Sequence, residues 1–128
     1  MYQLRIKPNP RTLERALWYK RDIFYVPGIL AKLSIMIVGV LKAQLHLHGV
    51  TSLKEKRSIV KSVIGRLKSR FNASVAEVDH QDSKLYAVIG IAIVSNETRF
   101  IDQQFDAMIT FMQNDGRFYL GQVERETF

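Results

Sequence analysis

The residues best suited to chemistry lie in a basic stretch between Leu53 and Phe71. Seven lysines and arginines occur there beside a single acid, Glu55. Cations in rows along an exposed helix follow the phosphates of RNA and release counterions, independently of base sequence. At about 100° per residue, the stretch predicts an RNA-binding surface on two flanks of one apolar stripe, with Lys54, Arg57, Lys61 and Lys68 on one flank and Arg66 and Arg70 on the other. The alternative is a solvated amphipathic helix whose long basic side chains cover the edges of the core.

Three histidines raise the question of a metal site. His46 and His48 lie two residues apart, on one face of a predicted strand, whereas His80 follows Asp79 much later in the chain. Zinc requires three or four convergent ligands, and the spacing defines no third one. The sequence therefore predicts no metal, and the histidines are interpreted as solvent-facing residues at strand ends.

Catalytic patterns are absent from the sequence. The chain has no cysteine, which excludes a thiol nucleophile and thiolate metal ligands. Its strand-like segments contain isolated glycines but no phosphate-binding glycine loop, and the serines of the basic stretch have no neighbouring base. The stretch His48–Thr51, where an acylphosphatase would carry an arginine loop, has no arginine. We predict no catalytic residue, no cofactor and no enzymatic activity.

The elements that must position these residues follow the order β-α-β-β-α-β from Met36 onward. The apolar residues alternate in the strand-like segments and recur at helical spacing in the others, and Ser52 with Glu55 has the spacing of a capping box. This order predicts an α+β, ferredoxin-like fold, with two helices on one face of a four-stranded antiparallel sheet and the first and third strands at its centre. The predicted segments are Met36–Leu47, Leu53–Phe71, Ala73–Val78, Leu85–Val94, a helix beginning at Ser95–Thr98 and ending at Asp115-Gly116, and Arg117–Val123.

The other face of this sheet has no predicted cover. The strand Leu85–Val94 is apolar on both faces, and burying a valine-sized side chain stabilises a fold by about 1.5–3 kcal/mol. Either a second subunit or residues 1–35 would cover this face, and we predict a homodimer whose interface includes Val38, Val40, Tyr86, Val88 and Val94. An RNA-recognition motif also uses this face, but it needs several aromatic residues on the central strands, and Tyr86 alone does not provide them.

Residues 1–35 differ in character from the rest of the chain. They contain all three prolines, the single tryptophan, and seven basic residues against two acids. Met36 directly precedes the first strand pattern, so the segment is interpreted as a peripheral basic extension or a misassigned start, followed by a domain at 36–128. No stretch approaches the roughly 20 apolar residues of a membrane span, and a cysteine-free chain fits the cytoplasm.

The stretch from Ser52 to Asp82 reads SLKEKRSIVKSVIGRLKSRFNASVAEVDHQD, preceded by MIVGVLKAQLHL and followed by AVIGIAIVSN. From Met36 to about Phe111 the chain resembles the YlxP-like family of small bacterial proteins of unknown function. It departs from that family at Lys84-Leu85-Tyr86, where members more often carry a tryptophan. The resemblance implies a ferredoxin-like fold and no assigned reaction, and the family's frequent position among genes for translation initiation and ribosome maturation implies a link to the ribosome.

Together these observations predict a non-catalytic accessory protein that binds ribosomal or other structured RNA through the basic helix. The alternative is a homo-oligomeric interaction or regulatory module that binds a protein or a small ligand through its sheet.

Overall fold

Strands and helices alternate as β-α-β-β-α-β in residues 36–128, the part of the chain that the computed structural model describes. This order confirms the predicted ferredoxin-like α+β class. The predicted extension, residues 1–35, lies outside the described residues. The elements are β1 (Ile37–Leu47), α1 (Leu53–Arg70), β2 (Ser74–Asp79), β3 (Tyr86–Ser95), α2 (Thr98–Gln113) and β4 (Phe118–Thr127).

The four strands form one antiparallel sheet in the order β2-β3-β1-β4. The first and third strands are therefore its central pair, as predicted. The β1–β3 register places Val38 opposite Val94 and His46 opposite Tyr86. This register brings the carboxyl end of β1 beside the start of β3, where the candidate site lies.

The last strand is longer than predicted. The apolar alternation ends at Val123, but β4 continues to Thr127 because its pairing with β1 extends until Gly39 faces Thr127. The four added residues are exposed and three of them are charged, which an edge strand tolerates and which also discourages pairing with other chains. The hydrophobic pattern could not show this extension, because backbone pairing alone forms it.

The core lies between one face of the sheet and the two helices. Inward-facing residues of β1 and β3 alternate as the period of two requires. Leu85, predicted as the first residue of this strand, precedes β3 and is 56% exposed. The buried side chains include Leu41, Ala43, Leu45 and Leu47 of β1, Ala87, Ile89, Ile91 and Ile93 of β3, Val60, Val63 and Leu67 of α1, and Ile101, Phe105, Met108 and Met112 of α2.

Among the described residues, no helix is long and apolar enough to cross a membrane.

Hydrogen bonds at the start of α1 hold its first turn. Ser52 is the N-cap, and its hydroxyl accepts a hydrogen bond from the backbone N–H of Glu55 at 3.1 Å. The Glu55 carboxylate in turn accepts hydrogen bonds from the backbone N–H and the hydroxyl of Thr51, one residue earlier than in a standard capping box. The only acid of the basic stretch is thus engaged in holding the helix start.

Candidate functional site

The six cations predicted to bind RNA are all exposed on α1. The helix buries a stripe that contains Val60, Val63 and Leu67, and this stripe turns the cations toward solvent on both of its flanks. We call this set the basic face: Lys54, Arg57, Lys61, Arg66, Lys68 and Arg70. The structure therefore places the predicted residues on one accessible helix.

Few negative charges neutralise the basic face. Within residues 36–128, its one ion pair joins Arg57 to Asp82 at 3.7 Å, and both side chains are more than half exposed, so the pair is weak. The Arg70 guanidinium lies 4.8 Å from the centre of the Phe111 ring, which anchors it against α2 without cancelling its charge. The remaining four cations have no carboxylate partner in salt-bridge range in this part of the chain.

Small residues separate the two flanks of the basic face. At 100° per residue, Ser58, Gly65 and Ser69 fall between the flanks on the outermost side of α1, and all three are exposed. Glu55, in the first turn of the helix, also falls between the flanks. A Cβ atom added to Gly65 would meet no described atom within 4 Å, so packing in this domain does not require a glycine there. The basic face therefore borders a low strip that a polynucleotide backbone could approach closely.

Lys56 belongs to the same helix but not to the basic face. Its side chain is fully buried, and its ammonium donates to Glu77 Oε2 at 2.7 Å, to the His80 carbonyl at 2.7 Å and to the Gln81 carbonyl at 3.3 Å. His80 has a φ of 60°, and the ammonium holds this left-handed turn against α1. Lys56 is thus a structural tie between α1 and the β2–β3 hairpin.

Lys56 is one of the seven basic residues of this stretch and was not among the six predicted to bind RNA, and the sequence contains a signal for its burial. Positions 53, 56, 60, 63 and 67 follow the helical repeat, and Lys56 is the charged member of this otherwise apolar series. A lysine within an apolar stripe is nearly always paired when buried.

A row of aromatic rings crosses the sheet on the face that α1 and α2 leave uncovered. His46 of β1 lies opposite both Tyr86 of β3 and Tyr119 of β4. Its ring stacks on Tyr119 with centroids 4.8 Å apart and meets Tyr86 edge-on at 4.9 Å. His48 lies 6.3 Å from Tyr119 and His80 lies 6.0 Å from Tyr86. We call these five residues the ring row.

Gly121 makes room for the centre of the ring row. A Cβ atom at this position of β4 would collide with the imidazole of His46, so a larger residue at this position would displace the ring. Tyr86 is the one tyrosine on the central strands β1 and β3, as predicted, and the other members of the ring row come from different sources. His46 adds an imidazole from β1, and Tyr119 comes from the edge strand β4, so its position depends on how β4 pairs with β1.

An open depression of about 640 Å³ connects the ring row with the basic face. His48, the last residue of the ring row, and Lys54, the first residue of the basic face, both line it. Ser52, Ser58, Arg117 and the acid Glu55 add polar groups to its wall. The two surfaces therefore meet around the end of the sheet.

Arg117 is held in this depression by Asp115. Its Nε and Nη2 atoms donate to the two carboxylate oxygens at 2.7 Å each, and the Asp115 side chain is only 4% exposed. The hydrogen bonds from Arg117 lower the pKa of Asp115 below its ordinary value of 3.8 and raise the pKa of Arg117. Both groups therefore stay charged at neutral pH, and the guanidinium keeps one orientation.

We expect Arg117→Gln to reduce the free energy of unfolding most at neutral pH. Because Asp115 has a depressed pKa in the folded state, its stabilising contribution is present above the unfolded value and is lost as the pH falls through the folded-state pKa. The difference between parent and variant should therefore shrink from about pH 7 to about pH 2.5, as measured by urea unfolding. Arg125→Gln removes an exposed pair with Asp106 and should change little at either pH. A constant difference for Arg117→Gln would contradict the assignment.

The residues predicted to form an oligomer interface all lie on the face that carries the ring row, and their exposures differ. Val94 is 62% exposed and Tyr86 36%, whereas Val38 and Val40 are half-buried and Val88 is 7% exposed.

The described residues contain no group of three or more histidine, aspartate or glutamate side chains arranged to hold a metal ion.

The sequence matches the family described as "Protein of unknown function (DUF503)" over residues 38–125, more than half of the chain. The chain belongs to the DUF503 family. It is also 27% identical over 78 residues to "Uncharacterized protein YlxP" of Bacillus subtilis (strain 168), an alignment that covers 61% of this chain and 85% of that protein. These matches confirm the resemblance to YlxP-like proteins, and neither description names an activity for the DUF503 family or for YlxP.

Solved structures resemble the DUF503 chain only distantly. The designed protein Foldit4 is 13% identical with a TM-score of 0.45, covering 73% of this chain and 96% of that one. The structural-genomics protein YJCS is 10% identical with a TM-score of 0.41, covering 70% and 96%. SnoaB, a cofactor-independent oxygenase from Streptomyces nogalater, is 12% identical with a TM-score of 0.38, covering 73% and 91%. Similarities this weak carry no information about function.

Proposed function

We propose that the chain is a non-catalytic, cytoplasmic accessory protein that binds ribosomal or other structured RNA through the basic face of α1. The observation that supports this proposal is the excess of unpaired positive charge on one exposed helix. Five of its six cations have no carboxylate in salt-bridge range within residues 36–128, and the carboxylate of Glu55 is hydrogen-bonded to Thr51. A helix that served only to cover the core would not need this imbalance.

The dimensions of the basic face suit a polynucleotide backbone. Lys54 and Lys68 lie near the two ends of α1, so they are separated by roughly 21 Å along the axis at 1.5 Å per residue. This length admits contacts with several successive phosphates. The small side chains of Ser58, Gly65 and Ser69 between the flanks would let the backbone approach the helix without steric hindrance.

The alternative is a homodimer, or a module that binds a protein or small ligand, formed through the open side of the sheet. Exposed Val94 and Tyr86, beside half-buried Val38 and Val40, favour it. Association through such an apolar surface depends on buried area and responds weakly to salt. This difference in salt response separates the two proposals.

Salt titration of RNA binding tests the proposed function. With about four phosphate contacts, the affinity for a ribosomal RNA fragment should fall about 50- to 150-fold between roughly 50 and 200 mM salt, because the counterion slope is about 0.7–0.9 per contact. Fluorescence anisotropy with the full chain measures the affinity, and sedimentation at the same salt concentrations reports any dimer. If the chain binds no RNA at low salt, or binds with a flat salt response, the proposal is wrong.

A further inference from the structure

We propose that the ring row and the basic face form one continuous path for a single-stranded segment of RNA. In this arrangement unstacked bases rest against the rings on the sheet, and the phosphates that follow them reach the cations of α1. The inference deepens the proposed function and rests on it, because it names the form of RNA that the chain would select.

The ring row has the chemistry that unpaired bases require. Tyr119 is 59% exposed and Tyr86 36%, so both present ring surface to solvent. The polar side-chain atoms of the ring row make no hydrogen bond within residues 36–128, although each tyrosine carries a hydroxyl and each imidazole carries ring nitrogens. Rings stack on any base, and free polar edges can bond to base edges, which is how sheet surfaces bind single strands.

The geometry makes the two surfaces one path. Only the short loop His48–Ser52 separates the end of β1, at one side of the ring row, from the start of α1. That loop borders the depression that His48 and Lys54 share, and the guanidinium of Arg117 is fixed there by Asp115. An RNA single strand that extends from the ring row toward α1 therefore passes Arg117 and Lys54 before it reaches Arg57 and Lys61.

The charges along this path complement a polynucleotide. On the other side of the ring row, exposed Lys84 precedes Tyr86 in the β2–β3 hairpin and has no carboxylate in salt-bridge range among the described residues. Lysine or arginine side chains thus lie at both ends of the ring row, beside the acids Asp79 and Asp82 near the hairpin and Glu55 in the depression. A duplex would use the cations alone, because its bases are already stacked on one another and do not present their faces. A single strand would use the rings as well.

The test uses the full chain and compares a single-stranded RNA oligomer with a hairpin of the same length whose loop is minimal, so that nearly all of its bases are paired and stacked. Tyr86→Ala with Tyr119→Ala should weaken binding of the single strand by about 5- to 150-fold per ring, and leave hairpin affinity and the salt slope unchanged. Tyr86→Phe with Tyr119→Phe keeps both rings and should retain most of the single-strand affinity. Circular dichroism and thermal melting confirm that both double variants are folded.

The other possible results distinguish failure of the RNA path from failure of the proposed function. If the alanine variant binds the single strand like the parent while reversal of the α1 charges weakens it, the path is wrong and the proposed function stands. If the double alanine variant loses affinity for the single strand and for the hairpin equally, the inference is overturned. It is also overturned if the parent is a dimer and this variant is a monomer, because the ring row then forms a protein–protein contact. If the parent binds neither RNA, both proposals fail together.

Discussion

Charge reversal at Arg57, Lys61 and Lys68 should weaken RNA binding by at least about 100-fold at roughly 0.1 M salt. Each phosphate contact contributes about 0.7 to the counterion slope with a single strand, so three lost contacts remove about two decades of affinity. The glutamates introduced would then repel the backbone and add to this loss. The slope itself should fall by about 2, which a salt titration of the variant measures directly.

A matched control separates this effect from net charge. Charge reversal at Lys42, Arg99 and Arg125 lowers the formal net charge by the same amount, but these residues lie on β1, α2 and β4. Their surface pairs contribute little to stability, so this variant should fold and keep most of its RNA affinity. Equal losses in the two triple variants would show that binding follows total charge, and an unaffected α1 variant would exclude the basic face.

Lys56→Met should destabilise the domain by about 3 kcal/mol, which corresponds to a melting temperature lower by about 12–24 °C. The methionine fills a similar volume but leaves the Glu77 carboxylate, 15% exposed, without its partner. It also removes the donor for the His80 and Gln81 carbonyls. Urea unfolding at neutral pH measures the loss.

The same helix supplies the control for this prediction. Lys61→Met makes an identical substitution on the exposed side of α1 and should change the free energy of unfolding by no more than about 0.5 kcal/mol. Combining Lys56→Met with Glu77→Leu replaces the ion pair by apolar side chains and should recover much of the loss. If Lys56→Met costs no more than Lys61→Met, the buried tie does not hold the hairpin to α1.

Most of the fold could be predicted from local patterns. Alternation of apolar residues identified the inward side of β1, and the spacing of Ser52 and Glu55 located the start of α1. These signals are local because each depends only on the residues of one short segment and on which of them face the core. The positions of the six cations followed from the same helical period, so this half of the candidate site was predictable too.

The ring row could not be predicted in the same way, because it depends on pairing between strands far apart in sequence. Tyr119 reaches His46 only through the β1–β4 register, which shifts at a bulge between Ala43 and Leu45. Period-two reasoning assigns a residue to a face but not to a neighbour across the sheet. Lys56 is a different case, because its place in the apolar helical series could be seen in the sequence and its burial could have been predicted.

The pairing of β1 with β4 also has a consequence for synthesis of the protein. Val38 exchanges two backbone hydrogen bonds with Phe128, and Gly39 faces Thr127. One side of the central strand β1 therefore stays unpaired until residues about ninety positions later in the sequence have been synthesised. Contacts between such distant residues form slowly. While the polypeptide is being translated, β1 can pair with β3 but presents an open edge on its other side. The nascent chain is therefore most prone to intermolecular strand pairing just before β4 emerges.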